Sequence, residues 1–306
     1  MSDRKTKLDT AAVALLLLCC ALWGLNQVAA KLALAEVPPL AQAAWRTLGA
    51  AALLLAWARL RGIALLPLRP TLPAGLLAGA LFAAEFACIF LGLQHTSASR
   101  MVVFLYMSPF VVALGMPLVA RGEQLSGWQW AGLAVAFGGV AWAFAEGLGH
   151  GPAVVAAPPA RQWLGDAMGV AAAVLWGGTT LAIRGSRLST AVPELTLLYQ
   201  LGVAGVLLAA ASVALGEPWP APWRLSLQAQ GLMLFQTVVV TFASYLLWFW
   251  LVRHYPATRL AVFTLLTPLL GLWAGVALLG EPLTLRLVVA GVAVAAGIAL
   301  VNRRRS

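Results

Sequence analysis

Apolar residues fall along this chain in long unbroken runs, separated by proline, glycine and short clusters of arginine. Thr10 to Ala30 holds 21 residues without a charge, and Met101 to Ala120 holds 20. A buried strand lasts about 4 to 8 residues, whereas a helix crossing a bilayer core needs about 20. The runs predict ten membrane-spanning helices, over 10–31, 40–59, 72–93, 99–120, 126–145, 165–184, 192–215, 227–250, 257–280 and 284–302. Pro38-Pro39, Pro67, Pro70, Pro73, Pro158-Pro159, Pro218, Pro220, Pro222 and Pro282 punctuate the gaps, where a helix is expected to stop.

Composition agrees with the runs. The chain is 62% hydrophobic and 10% charged, with a mean hydropathy of +0.90. Soluble domains carry about 25% charged residues, so a large soluble α/β protein is excluded. The basic start MSDRKTK could open a signal peptide, but the apolar run continues through Trp23 and Asn26 as a full span. Cys19, Cys20 and Cys88 sit inside apolar runs at no metal-ligand spacing and read as small buried hydrophobes. No metal site and no cofactor are expected.

The net charge of +10 does not point to nucleic acid, because the basic residues are scattered between apolar runs. They instead set orientation. With the N-terminus inside, fourteen face the cytoplasm: Arg4, Lys5, Lys7, Arg59, Arg61, Arg69, Arg121, Arg184, Arg187, Arg253, Arg259 and Arg303 to Arg305. Five face outward: Lys31, Arg100, Arg161, Arg224 and Arg286. Both termini are therefore expected in the cytoplasm of a cell with a cytoplasmic (inner) membrane, with 146–164 outside.

The chain says the same thing twice. ALWGLNQVAAK (21–31) returns as VLWGGTTLAIR (174–184), and HTSASRMVVFLYMSP (95–109) returns in register as HYPATRLAVFTLLTP (254–268). That second match pairs His95 with His254, Arg100 with Arg259 and Pro109 with Pro268, and RGEQLS (121–126) faces LGEPLT (279–284). Residues 1–146 form one five-helix unit and 165–306 a second, joined by a Gly/Pro/Ala linker at 147–164. Five is odd, so the second unit enters the membrane with opposite sense. Such inverted repeats suit alternating access to a midplane site.

These features resemble the EamA-type branch of the drug/metabolite transporter superfamily: ten spans, opposed units, the ALWGLN and VLWGGT segments, and the GEQLS and GEPLT turns. The resemblance covers nearly the whole chain. It implies a helical basket with a central cavity that moves metabolites or amphipathic compounds, often outward. Within that branch the sequence is most similar to bacterial aromatic amino-acid exporters. Thr179 and Thr180 stand where the first half has Asn26 and Gln27, so substrate geometry does not transfer between halves.

Polar residues within spans are the candidate site. Arg46 and Glu85 lie about 9 and 12 Å below the outer ends of their helices at 1.5 Å per residue, and each alone is costly there. Two roles fit them: an ion pair or shared polar cluster, and direct binding of a ligand or proton. Asn26 and Gln27 fit substrate contact and interhelical hydrogen bonding equally. Trp23 and Trp176 sit too deep for an interfacial belt and fit a stacking wall or simple packing. Tyr106, Ser108, Tyr199, Gln200, Gln236, Thr241, Ser244 and Tyr245 are further lining candidates. His95 and His254 read as interfacial or gate residues, and Pro109 and Pro268 as matched kinks. The Gly pairs of GLLAG (75–79), GDAMG (165–169) and GLWAG (271–275) allow close helix approach.

The expected function is secondary export or facilitated passage of partly apolar amino acids and related metabolites. The expected partners are a small-molecule substrate and the bilayer, and one copy suffices. With no Walker A motif, ATP is not the direct driving force. Rival readings are a sugar-phosphate or nucleotide-sugar exchanger, which would want several cavity cations, and a non-transport scaffold or receptor, which leaves the duplication unexplained.

Overall fold

A computed structural model describes residues 9–65, 69–119, 127–148, 161–255, 260, 263–264 and 266–301. Glu123, Arg259 and most of the 147–164 linker lie outside these residues. The chain is an all-α polytopic membrane protein. Its helices are α1 (Thr10–Ala33), α2 (Pro39–Leu60), α3 (Leu72–Gly92), α4 (Ala98–Leu105), α5 (Ser108–Val119) and α6 (Gly127–Leu148). They continue with α7 (Gln162–Arg184), α8 (Pro193–Ala214) and α9 (Leu227–Leu234). A π-helix (Phe235–Ser244) leads into α10 (Tyr245–His254), followed by α11 (Leu266–Leu279) and α12 (Leu285–Val301).

Among the described residues six helical segments have the length and hydropathy to cross a bilayer, and Leu266–Leu279 and Leu285–Leu300 are shorter apolar helices. α2 matches them in length but carries Gln42, Arg46 and Thr47. Exposed leucine, valine and tryptophan side chains coat the outside, a surface that only lipid tolerates.

Local chemistry sets the helix starts. Asp9 accepts from the Ala12 amide at 2.9 Å to cap α1, Ser97 accepts from Arg100 to cap α4, and Ser226 accepts from Ala229 to cap α9. Prolines open α2, α3 and α8, where a missing amide proton costs nothing. The span expected at 99–120 is two helices. It breaks at Tyr106-Met107, and Pro109 then sits in the first turn of α5. Pro268 occupies the same place in α11.

The π-helix leaves no mark in the hydrophobic pattern, which reads 227–250 as one α-helix. Its carbonyls are partly served by side chains: Thr241 Oγ1 donates to Gln236 O at 2.7 Å and Ser244 Oγ donates to Val240 O.

Glycine decides how closely the helices pack. A Cβ on Gly24 of α1 would stand 2.7 Å from the Gly271 amide nitrogen of α11, so these two helices cross backbone to backbone. Gly79 admits Val203, Gly205 admits Leu48 and Gly139 admits Ala293 at the α3–α8, α2–α8 and α6–α12 contacts. Lipid tails are as apolar as leucine, so such close fit, rather than the hydrophobic effect, holds the helices together.

Replacing Gly24 by valine should therefore lower stability in detergent by about 2 kcal/mol or more, through overpacking against an immovable backbone. Gly138, with open space around its Cβ position, should accept alanine without loss. Thermal melting of the two purified variants checks both.

Candidate substrate site

One buried charge in the bundle makes no well-formed hydrogen bond. Arg46 of α2 is fully buried, and its three guanidinium nitrogens find no acceptor in good geometry, although the Tyr245 hydroxyl lies close by. Its planar group lies instead on aromatic faces, 4.3 Å from the Phe86 ring centroid and 5.5 Å from that of Phe90. Glu85 of α3, also buried, leaves Oε2 without a partner. The two charges and the Tyr245 hydroxyl are close enough to act on one another electrostatically.

Tyr245 extends the cluster towards Tyr106, which in turn lies beside Thr267 and Cys20. Tyr106 packs edge-on against Trp176, with centroids 5.7 Å apart. Arg46, Glu85, Tyr106, Trp176 and Tyr245 are thus gathered from α2, α3, the α4–α5 break, α7 and the start of α10. Tyr245 and Trp176 keep some accessible surface among otherwise buried neighbours.

Other candidates sit apart or have structural work. Trp23 donates Nε1–H to Ser244 Oγ at 2.9 Å and packs edge-on against Trp248, fastening α1 to the π-helix. Asn26 and Gln27 are buried, with Oδ1 and Oε1 unpartnered. Gln236 is fully buried, with Oε1 unpartnered. Tyr199 is elsewhere: its ring fills the space opposite Gly75 and its hydroxyl meets Thr71 Oγ1 at 3.2 Å. Thr179 bonds back to its own helix at Leu175 O.

The histidines are at the margins. His95, in the α3–α4 turn, is held below the usual imidazole range by burial first and by Arg161 and Lys31 second. His254 ends α10, with Nδ1 2.8 Å from Trp250 O and its ring against that indole.

Two features escaped the sequence reading. Gln42, one turn from Arg46 on α2, donates Nε2–H to Ala30 O at 3.2 Å and leaves Oε1 unpartnered. Arg100, expected as an outward-facing surface charge, is buried in an ion pair with Asp166. Its Nη2 stands 2.6 Å from Asp166 Oδ2, and Nε also donates to Asp166 Oδ1 at 3.0 Å. Nη2 donates further to Ala143 O, and Thr96 Oγ1 donates to Asp166 Oδ1 at 2.6 Å. Lone charges at span ends look alike in sequence whether they face water or a partner 66 residues away.

The EamA-like transporter family matches this chain twice, over residues 10–145 and 163–303. An uncharacterised transporter of Bacillus subtilis (strain 168), YvbV, is 29% identical over 300 residues, spanning 96% of this chain and 92% of its own length. An uncharacterised transporter of Archaeoglobus fulgidus is 41% identical over 75 residues, 24% of this chain and 27% of its own. One crystal structure superposes with a TM-score of 0.66 at 20% identity, over 95% of this chain and 97% of that one. At that identity the likeness speaks for the fold alone.

Removing one partner of a buried pair strands the other charge. Asp166→Asn and Arg100→Leu should thus each cost about 3 kcal/mol, and the two together less than the sum of the single losses. Melting of the four combinations in detergent measures this.

Proposed function

The chain belongs to the EamA-like transporter family, so its work is membrane transport rather than catalysis, and we propose that it carries amino acids, aromatic or otherwise partly apolar, by alternating access. The observation that carries the substrate assignment is the burial of Arg46 and Glu85 within electrostatic reach of one another but without a direct hydrogen bond between them. One cation and one anion lie buried together, each with unpartnered atoms, in a setting where such atoms are costly. An α-amino acid brings a carboxylate for the guanidinium and an ammonium for Glu85 Oε2. The rings of Phe86, Tyr106, Trp176 and Tyr245 would receive an apolar side chain.

A sugar phosphate is disfavoured by charge. Its dianion wants several free cations, yet Asp166 neutralises Arg100, and Lys31 donates to the carbonyls of Leu93 and Thr96. Arg46 alone remains, within electrostatic reach of Glu85.

Two observations support ten spans in two inverted units, 1–146 and 165–306. The family matches each half separately. Helix pairings also survive exchange of the halves: α2 with α8, α6 with α12 and α4 with α11 map onto themselves. The contact of α1 with α11 maps onto that of α7 with α4 and α5, and α3 with α7 maps onto α1 with α9 and α10. A scaffold has no use for this equivalence, whereas a carrier that exposes one site to either side does.

Purified protein in liposomes should take up radiolabelled L-phenylalanine. Phenethylamine and 3-phenylpropionate, each lacking one charged group, should fall short by about tenfold or more because the matching buried group stays unpaired. Uptake of hexose phosphate without amino acids would refute the assignment. Arg46→Met and Glu85→Gln should each lose phenylalanine uptake, and the double variant should recover stability but not transport. If Glu85 also carries a proton, uptake responds to an imposed pH gradient.

The charge distribution supports a topology with both termini in the cytoplasm of an inner-membrane protein. In intact cells an impermeant maleimide should label Gly151→Cys and spare Ser306→Cys. The reverse pattern would invert the topology.

A further inference from the structure

Four carboxylates gather at one end of the bundle, the end where α1 finishes and α2, α4, α7 and α9 begin. Each bonds across the boundary between the two halves. Glu36 accepts from the Ser226 amide at 2.8 Å and from its hydroxyl, at the start of α9. These bonds hold the Glu36 carboxyl below the usual carboxylate range. Glu217 accepts from the Leu40 and Ala41 amides of α2, at 3.2 and 2.8 Å, and from Ser212 Oγ. Glu281 accepts from the Ala98 and Ser99 amides of α4, at 2.7 and 2.9 Å, and from Ser99 Oγ. Asp166 holds Arg100 and Thr96.

Among the described residues the opposite end shows fewer such bonds. Of the described carboxylates, Asp9 and Glu194 lie there, and Tyr255 donates its hydroxyl to Asp9 at 2.9 Å.

Glu217 and Glu281 reach their targets by one device. Each follows a glycine in the left-handed region, Gly216 at φ 70° and Gly280 at φ 63°, and each precedes a proline. The glycine ends α8 or α11 and reverses the chain, with Glu217 N–H donating to Ser212 O and Glu281 N–H to Gly275 O. Proline forbids the helix from resuming. The carboxylate between them is left pointing at the free amides that begin a helix of the other half, where a negative charge is favoured. Both turns read Gly-Glu-Pro, at 216–218 and 280–282.

We propose that this end is the closed gate of the transporter in the present conformation, and that the two Gly-Glu-Pro turns are its latches. Opening separates the halves here and returns the amides of α2 and α4, with both carboxylates, to water. The gate rests on the alternating-access reading above. It makes no use of the substrate, and its test needs none.

Single cysteines in a variant with Cys19, Cys20 and Cys88 replaced by alanine report the state of each region. Ala98→Cys and Val37→Cys sit fully buried at the latched end, and Val103→Cys lies further along α4 in the core. An impermeant maleimide should react slowly with all three. Glu281→Gln should raise the rate at position 98, and Glu217→Gln that at position 37, by about tenfold each, with position 103 unchanged. Gly280→Ala keeps the carboxylate but misdirects it, and should act in the same direction at position 98. Ser99→Ala removes one of three bonds to Glu281 and should act more weakly, which keeps the test open if a glutamate variant fails to fold. Rates unchanged in every variant would overturn the proposal. So would a parallel rise at position 103, since the bonds would then hold the fold as a whole. Either failure leaves the phenylalanine assay unaffected, and a failure of that assay leaves the labelling result standing.

Discussion

A polar group carried into hydrocarbon must be satisfied by the protein itself, and the rest of this structure follows from that constraint. Thr47 and Thr179 turn their hydroxyls back on their own helices. Lys31 lays its ammonium on two carbonyls at the end of α3 and the turn after it. Arg100 is neutralised by Asp166 and bonded again by Ala143. Against this background the few groups left unsatisfied stand out, and Arg46 and Glu85 are the charged ones. Their placement among aromatic rings makes the same argument from the opposite side, since those rings give a guanidinium a face to lie on but no acceptor.

Much of this was legible in the sequence, because run length and charge spacing are themselves physical quantities. Expected helix bounds agree with observed ones within a few residues for α1 to α3 and for α7 and α8. Arg46 and Glu85 were found because a charge within a long apolar run has no innocuous explanation. Tyr106, Trp176 and Tyr245 came with them, as large polar aromatics at depth. Tyr199 has the same chemistry but packs against Gly75, and only the helix face distinguishes the two cases.

What stayed hidden depends on contacts between distant segments. Arg100 and Asp166 each look like an interfacial charge until α4 and α7 are brought together. Gln42 is inconspicuous near the start of α2 until Ala30 is seen beside it. The Gly-Glu-Pro turn at 280–282 was noticed for its repeat, while its twin at 216–218 lies between helices and has no match in the first half. Both become meaningful once the target of the carboxylate is known.

The π-helix at Phe235–Ser244 bears on the energetics of the proposed cycle. In the two-unit plan proposed above, the segment holding it would be the counterpart of α3, which is regular throughout. A carrier made of two interchangeable halves would hold its two end states at equal free energy by symmetry alone. Here that segment contains a wider-wound turn that α3 lacks, so reversing the roles of the halves would not regenerate the same molecule. On the alternating-access reading proposed above, the unloaded protein would therefore rest unevenly between its two facings. Such a bias would belong to the apo equilibrium and exist before any gradient is applied. It would change how readily substrate is met on each side, although it could not by itself drive net flux.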